Sequence, residues 1–241
     1  MAAPTLPGWH GKLPTLGDFA ARRMDAGFLA TWDTWLAEGL LQLRQQQPEA
    51  WLDAYLASPS WRFVLMPGAM PGAASATAWA GVLMPSVDRV GRYFPFTLVW
   101  PLPVLPGALD QQRALWAWLG RLDDLAADAL HEDWTVDQLE EALQRLALPT
   151  LAPLPAVDPP GLPARPGAWQ DETLSAGADI AGHLAHQAQL LWQAQVHGLA
   201  WWFAGAGAAV PRLRSSRGLP ATAASLLGAT MPADLPTAKL P

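Results

Sequence analysis

Residues 78–102 read AWAGVLMPSVDRVGRYFPFTLVWPL, and the fold turns on how this stretch divides. Two apolar runs, 78–84 and 94–102, flank a polar segment that holds Asp88, Arg89 and Arg92 around Gly91, between Pro85 and Pro95. Each run is too short for a helix and is bordered by proline or glycine, which predicts buried strands. A third run of the same texture, WRFVLM, precedes them at 61–66. Apolarity in these runs is continuous rather than alternating, so both faces of the sheet are expected to be covered.

Working outward, residues 28–46 carry Phe28, Trp32, Trp35, Leu36, Leu40 and Leu43 mostly at three- and four-residue spacing, the stripe of an amphipathic helix. Asp25 is its expected N-cap and Pro48 its stop. Residues 49–57 read as a short second helix, and 9–13 as an edge or opening strand in a Gly- and Pro-rich stretch. Downstream, 109–130 is helical, with Leu115, Trp118, Leu119, Leu122, Leu125 and Ala129 on one face. Thr135 and Gln138 have capping-box spacing for a helix running to about Leu146, striped by Val136, Leu139, Leu143 and Leu146. Seven prolines in 148–167 forbid a helix and predict an extended surface loop. Residues 182–196 read as a helix, 199–204 and 211–215 as a strand pair around Gly205-Ala206-Gly207, and 220–227 as a last short helix. A loose tail is expected over 229–241. Consecutive strands with helices before, between and after them predict an α/β fold. The expected form is a three-layer αβα sandwich around a mixed, partly antiparallel sheet, in a single domain spanning 1–228.

Composition narrows the function. Hydrophobic residues make up 51% of the chain and charged residues 15%, the balance of a globular protein. The net charge is -6, and no basic stripe marks a nucleic-acid surface. The acidity is concentrated in Asp123, Asp124, Asp128, Glu132, Asp133, Asp137, Glu140 and Glu141, a pattern expected of a solvated helical face. With no cysteine there is no disulfide framework and no thiolate metal site. The opening residues lack a signal-peptide pattern, and the most apolar stretch, 94–109, is broken by Pro95, Pro101, Pro103 and Pro106. A cytoplasmic protein without membrane insertion is the expectation.

Catalytic and nucleotide patterns fail on their own residues. Gly11-Lys12 lacks the upstream glycine and the following Ser or Thr of a phosphate loop. Gly205-Ala206-Gly207 lacks the third small residue of a dinucleotide fingerprint, because Val stands at 210. There is no Gly-x-Ser-x-Gly elbow. His183 and His186 share a helical face without a third ligand, so no metal and no cofactor are expected. Two Gly- and Pro-fixed segments remain. GKLPTLGDF (11–19) presents Lys12 and Asp18, and the segment after Met84 presents Asp88, Arg89, Arg92 and Tyr93. Charges between buried strands must be solvated, paired or bound to something. Either the loop is held by a structural Asp–Arg pair, or its guanidinium groups face a carboxylate or phosphate.

Four blocks carry a family resemblance: GWHGKLPTLGDF (8–19), WDTWL (32–36) with Phe28, WLDAYLASPSWRF (51–63) and AWAGVLMPSVDRVGRYFPFTL (78–98). In this order they resemble the TagF family, accessory proteins of bacterial type VI secretion. AWWFAG (200–205) and RGLP (217–220) are weaker echoes, and His10 stands where the family more commonly has an aromatic. The resemblance implies a non-enzymatic, post-translational repressor that binds a forkhead-associated scaffold protein. Some members are fused to a phosphatase domain; 241 residues leave no room for one, so no such activity is expected. Partner-binding candidates are Lys12, Asp18, Asp88, Arg89, Arg92 and Tyr93. Gly11, Pro14, Gly17, Phe19, Trp32, Trp35, Trp61, Arg62, Gly91 and Pro95 are the candidate framework. A structural or assembly component of the apparatus is the alternative, and a small-ligand receptor built on Lys12, Asp18, Asp88, Arg89 and Arg92 a further one.

Overall fold

The computed structural model describes residues 6–152, 175, 177, 179–205 and 211–228. The expected proline-rich loop from 153 onward, the centre of the expected 205–207 turn and the expected tail lie outside the described residues. In chain order the elements are β1 (Gly8–Gly11), β2 (Ala20–Arg22), α1 (Ala26–Gln46), α2 (Trp51–Leu56), β3 (Trp61–Leu65), β4 (Ala78–Met84), β5 (Phe96–Leu102), α3 (Leu109–His131), α4 (Val136–Arg145), α5 (Ile180–Gln195), β6 (Leu199–Ala204) and β7 (Arg212–Arg217). Short 3₁₀ turns occupy Gly72–Ala76 and Ala223–Ser225, so the last expected helix shrinks to a single turn.

Local chemistry sets the helix ends. The Asp25 carboxylate accepts from the Phe28 amide, and α1 stops at Gln46 because Gln47, preceding Pro48, leaves the helical region. Thr135 and Gln138 form the reciprocal capping box that opens α4.

The seven strands form one open sheet in the order β2-β1-β5-β4-β3-β6-β7. Every pairing is antiparallel, which corrects the expectation of a mixed, partly antiparallel sheet. Continuous apolarity reports burial of both faces and says nothing of strand direction. Here consecutive strands β3, β4 and β5 return on one another, and neither connection holds an α-helix of the kind that usually carries the chain across between parallel strands. β1 lies one place in from the edge, covered by the three-residue β2 that the sequence pattern did not reveal. Pro101 is tolerated inside β5 because β1 pairs only with Thr97, Leu98 and Val99.

Side chains alternate between two cores. Trp61, Phe63, Leu65, Trp79, Leu83 and Trp202 join Phe28, Trp32, Trp35 and Leu36 of α1 and Tyr55 of α2. Val64, Met66, Ala80, Val82, Leu98 and Trp100 join Leu115, Trp118, Leu119 and Leu122 of α3 and Leu139 and Leu143 of α4. Three buried tryptophans place their indole N–H groups on acceptors: Trp32 donates to Thr97 Oγ1 at 2.9 Å, Trp35 to the Pro220 carbonyl at 2.8 Å, and Trp61 to the Leu226 carbonyl at 2.9 Å. α1 is thereby bonded to the middle of the sheet and to the C-terminal turn.

Candidate functional site

β1 pairs with β5, so the loop that follows β1 and the loop that precedes β5 lie side by side. Gly11 makes that closeness possible. Its φ is +130°, and a Cβ there would overlap the Pro95 carbonyl. Between the loops Lys12 donates from Nζ to Asp88 Oδ2 at 2.5 Å, with both side chains buried. Asp88 Oδ2 also accepts from Arg92 Nε at 2.8 Å. Its Oδ1 accepts from the amides of Val90 at 3.0 Å and Arg92 at 2.9 Å. A buried charge persists only when it is paired and its lone pairs are satisfied, and Asp88 meets both conditions. Burial would raise the Asp88 pKa. The bonds from Lys12, Arg92 and Val90 outweigh that effect and hold the carboxyl well below its usual range.

The surrounding backbone is fixed to the same knot. Gly91, at φ +81°, turns the chain so that its amide reaches the Asp88 carbonyl at 3.0 Å. The Arg89 amide donates to Leu16 O at 3.1 Å, and Arg92 Nη2 donates to Gly17 O, so each loop is bonded to the other. Pro14 lies in the turn closed by Leu16 N to Leu13 O at 2.9 Å. Below, Ser86 Oγ donates to Lys12 O at 2.7 Å. The Tyr55 hydroxyl accepts from the Ser86 amide at 2.8 Å and donates to its carbonyl at 3.0 Å; burial pushes this hydroxyl's pKa up. Tyr93 turns inward, edge-on to Trp51 and Tyr55.

The knot presents a mixed surface. Phe19 is 48% exposed and lies over the Lys12 ammonium, 4.3 Å from ring centroid to Nζ. It packs edge-on against Phe94 at 4.8 Å and stacks on His10 at 6.2 Å with 14° between the planes. His10 therefore does the stacking of an aromatic residue, and its Nε2 also bonds Asp33 of α1 at 2.9 Å. Of the six partner-binding candidates, Lys12 and Asp88 spend their charges on each other inside the protein, and Tyr93 is partly buried. Arg89 and Asp18 are exposed, and the Arg92 side chain is 53% exposed. Two concavities lie near the sheet. One of about 510 Å³ is lined by His10, Phe19, Asp33 and Phe94, among others. The second, about 740 Å³, lies between α3, α5 and β3, β6 and β7. Neither is lined by Lys12, Asp18, Asp88, Arg89 or Arg92, so these five do not converge on either of them.

Two further charge clusters went unread in the sequence. Asp123 of α3 accepts from Arg62 Nε of β3 at 2.8 Å and from Ser60 Oγ. Glu140 of α4 accepts from Trp9 Nε1 at 2.7 Å and is gripped by Arg23, with Nη1 at 2.6 Å and Nη2 at 3.2 Å. Burial opposes ionisation of Glu140, but the bonds from Arg23 and Trp9 prevail and lower its pKa. The acidic run is thus not wholly a solvated face: Asp123 and Glu140 are buried. The available signal was Arg62 itself, a lone charge inside an apolar strand that had to find a partner.

An α/β protein with an antiparallel sheet, no described helix long and apolar enough to cross a membrane, and a charge-locked pair of loops is the class these features define. The model of the TagF N-terminal domain, type VI secretion system-associated, matches residues 8–146, and the chain belongs to that family. A crystal structure of PA0076 from Pseudomonas aeruginosa PAO1 is similar over 98% of this chain and 100% of that one, at 30% identity and a TM-score of 0.71. A comparison with curated proteins finds no match.

Proposed function

We propose that the chain is a non-enzymatic, cytoplasmic repressor of type VI secretion that acts after translation by binding a forkhead-associated scaffold protein. Family membership supports the secretion role. The observation that carries the binding role is the division of labour at the knot. Lys12 and Asp88 lock two loops, distant in sequence, from inside, and the lock leaves Phe19, Arg89 and Arg92 exposed on a backbone that is bonded in place. A fixed backbone lowers the entropic cost of association, and guanidinium groups beside an aromatic ring suit a partner's carboxylate or phosphate.

The test is co-purification of the tagged chain from its native cell, together with secretion measured after deletion. The proposal expects a forkhead-associated protein in the eluate and increased secretion without the chain. An eluate free of that protein, with secretion unchanged, would refute it. Stoichiometric recovery with the assembled, active apparatus would instead identify a structural component.

A further inference from the structure

The sheet ends on β7, at the edge opposite β2. β7 is six residues long, RLRSSR, and among the described residues it pairs with β6 alone. Half of its backbone N–H and C=O groups therefore point away from the sheet, a template for another extended chain. The other edge strand, β2, has only three residues.

The two faces of β7 differ in chemistry. Leu213 and Ser215 stand opposite Phe203 and Trp201, on the side of the apolar cleft that Trp116 and Trp192 also line. Leu213 is 62% exposed there. Arg212 and Arg214 stand opposite Ala204 and Trp202, on the other side. Arg214 donates to the Ser225 carbonyl at 2.5 Å and lies over the Trp61 ring at 4.9 Å, yet it meets no carboxylate among the described residues. Among the described residues none of Arg212, Arg214 and Arg217 forms a salt bridge, and residues 180–233 contain neither Asp nor Glu.

We infer that β7 is a strand-addition site for an extended segment of a second protein in which apolar residues alternate with Asp or Glu. A strand added about 4.8 Å from β7 would set one row of side chains beside Leu213, over the cleft. The alternate row would lie beside Arg212 and Arg214. Complementary charge selects the occupant, since the same arginines repel a second copy of β7. This surface is separate from the loop knot, and the two can be tested apart.

The test uses the whole chain and a labelled peptide about ten residues long that alternates Leu and Glu. Fluorescence anisotropy should show saturable binding, and amide exchange should slow across 212–217 when the peptide is present. Leu213→Asp and Arg212→Glu, both at exposed positions, should each weaken binding roughly tenfold while leaving the melting temperature unchanged. Absence of binding, or binding without slowed exchange at 212–217, would overturn the inference. So would polyglutamate of the same length binding equally tightly, because charge alone would then suffice.

Discussion

Asp88 accepts four hydrogen bonds, from Lys12, Val90 and Arg92 twice. Its pKa is lower in the folded state than in the unfolded chain, where the ordinary value is 3.8. The stabilisation this provides is complete above that value and is lost as pH falls through the lower folded one. Urea melts over a pH series should therefore show wild type losing stability on acidification below about pH 4, with Asp88→Asn showing a shallower acid slope. At neutral pH Asp88→Asn should be the less stable protein, because it leaves the buried Lys12 ammonium unpaired. Arg92 and Arg89 should separate on the same scale. Arg92 holds Asp88 and the Gly17 carbonyl, so Arg92→Glu should lower the melting temperature as well as repression. Among the described residues Arg89 bonds only through its backbone, so Arg89→Glu should abolish repression with the melt unchanged.

At the scale of elements, α1 is held through Trp32, which stacks on Phe28 at 5.1 Å, contacts Phe63 at 5.0 Å and bonds Thr97. Trp32→Ala should cost about 3–5 kcal/mol in chemical denaturation, the usual cost of deleting a large buried side chain. Thr135→Ala, which removes one half of the α4 capping box, should cost about 1 kcal/mol in the same measurement. Elements whose ends are written in local chemistry were legible in the sequence: Asp25 and Pro48 bound α1, and Thr135 with Gln138 opens α4. β2 was not, since Ala-Ala-Arg has no pattern of its own and becomes a strand only by pairing with β1. Strand direction was hidden for a similar reason, because apolar runs encode burial and leave partner orientation to the connections.

For the molecule as a whole, the site was legible in kind but not in arrangement. Its charged residues and fixed glycines could be named, and an Asp–Arg pair was one reading of the loop. The bond from Lys12 to Asp88 spans 76 positions, and no local pattern reports a contact of that range. The structure divides the loops into an interior that holds them and an exterior left for contact. The central claim is that this exterior is the surface the scaffold protein recognises. The most direct test is calorimetric titration of the purified forkhead-associated protein with wild type, Phe19→Ala and Arg89→Glu, all with matched melts. The account predicts tight binding by wild type, with each variant weakened by roughly tenfold or more, as expected of an aromatic or arginine anchor. Undiminished binding by both variants would contradict it.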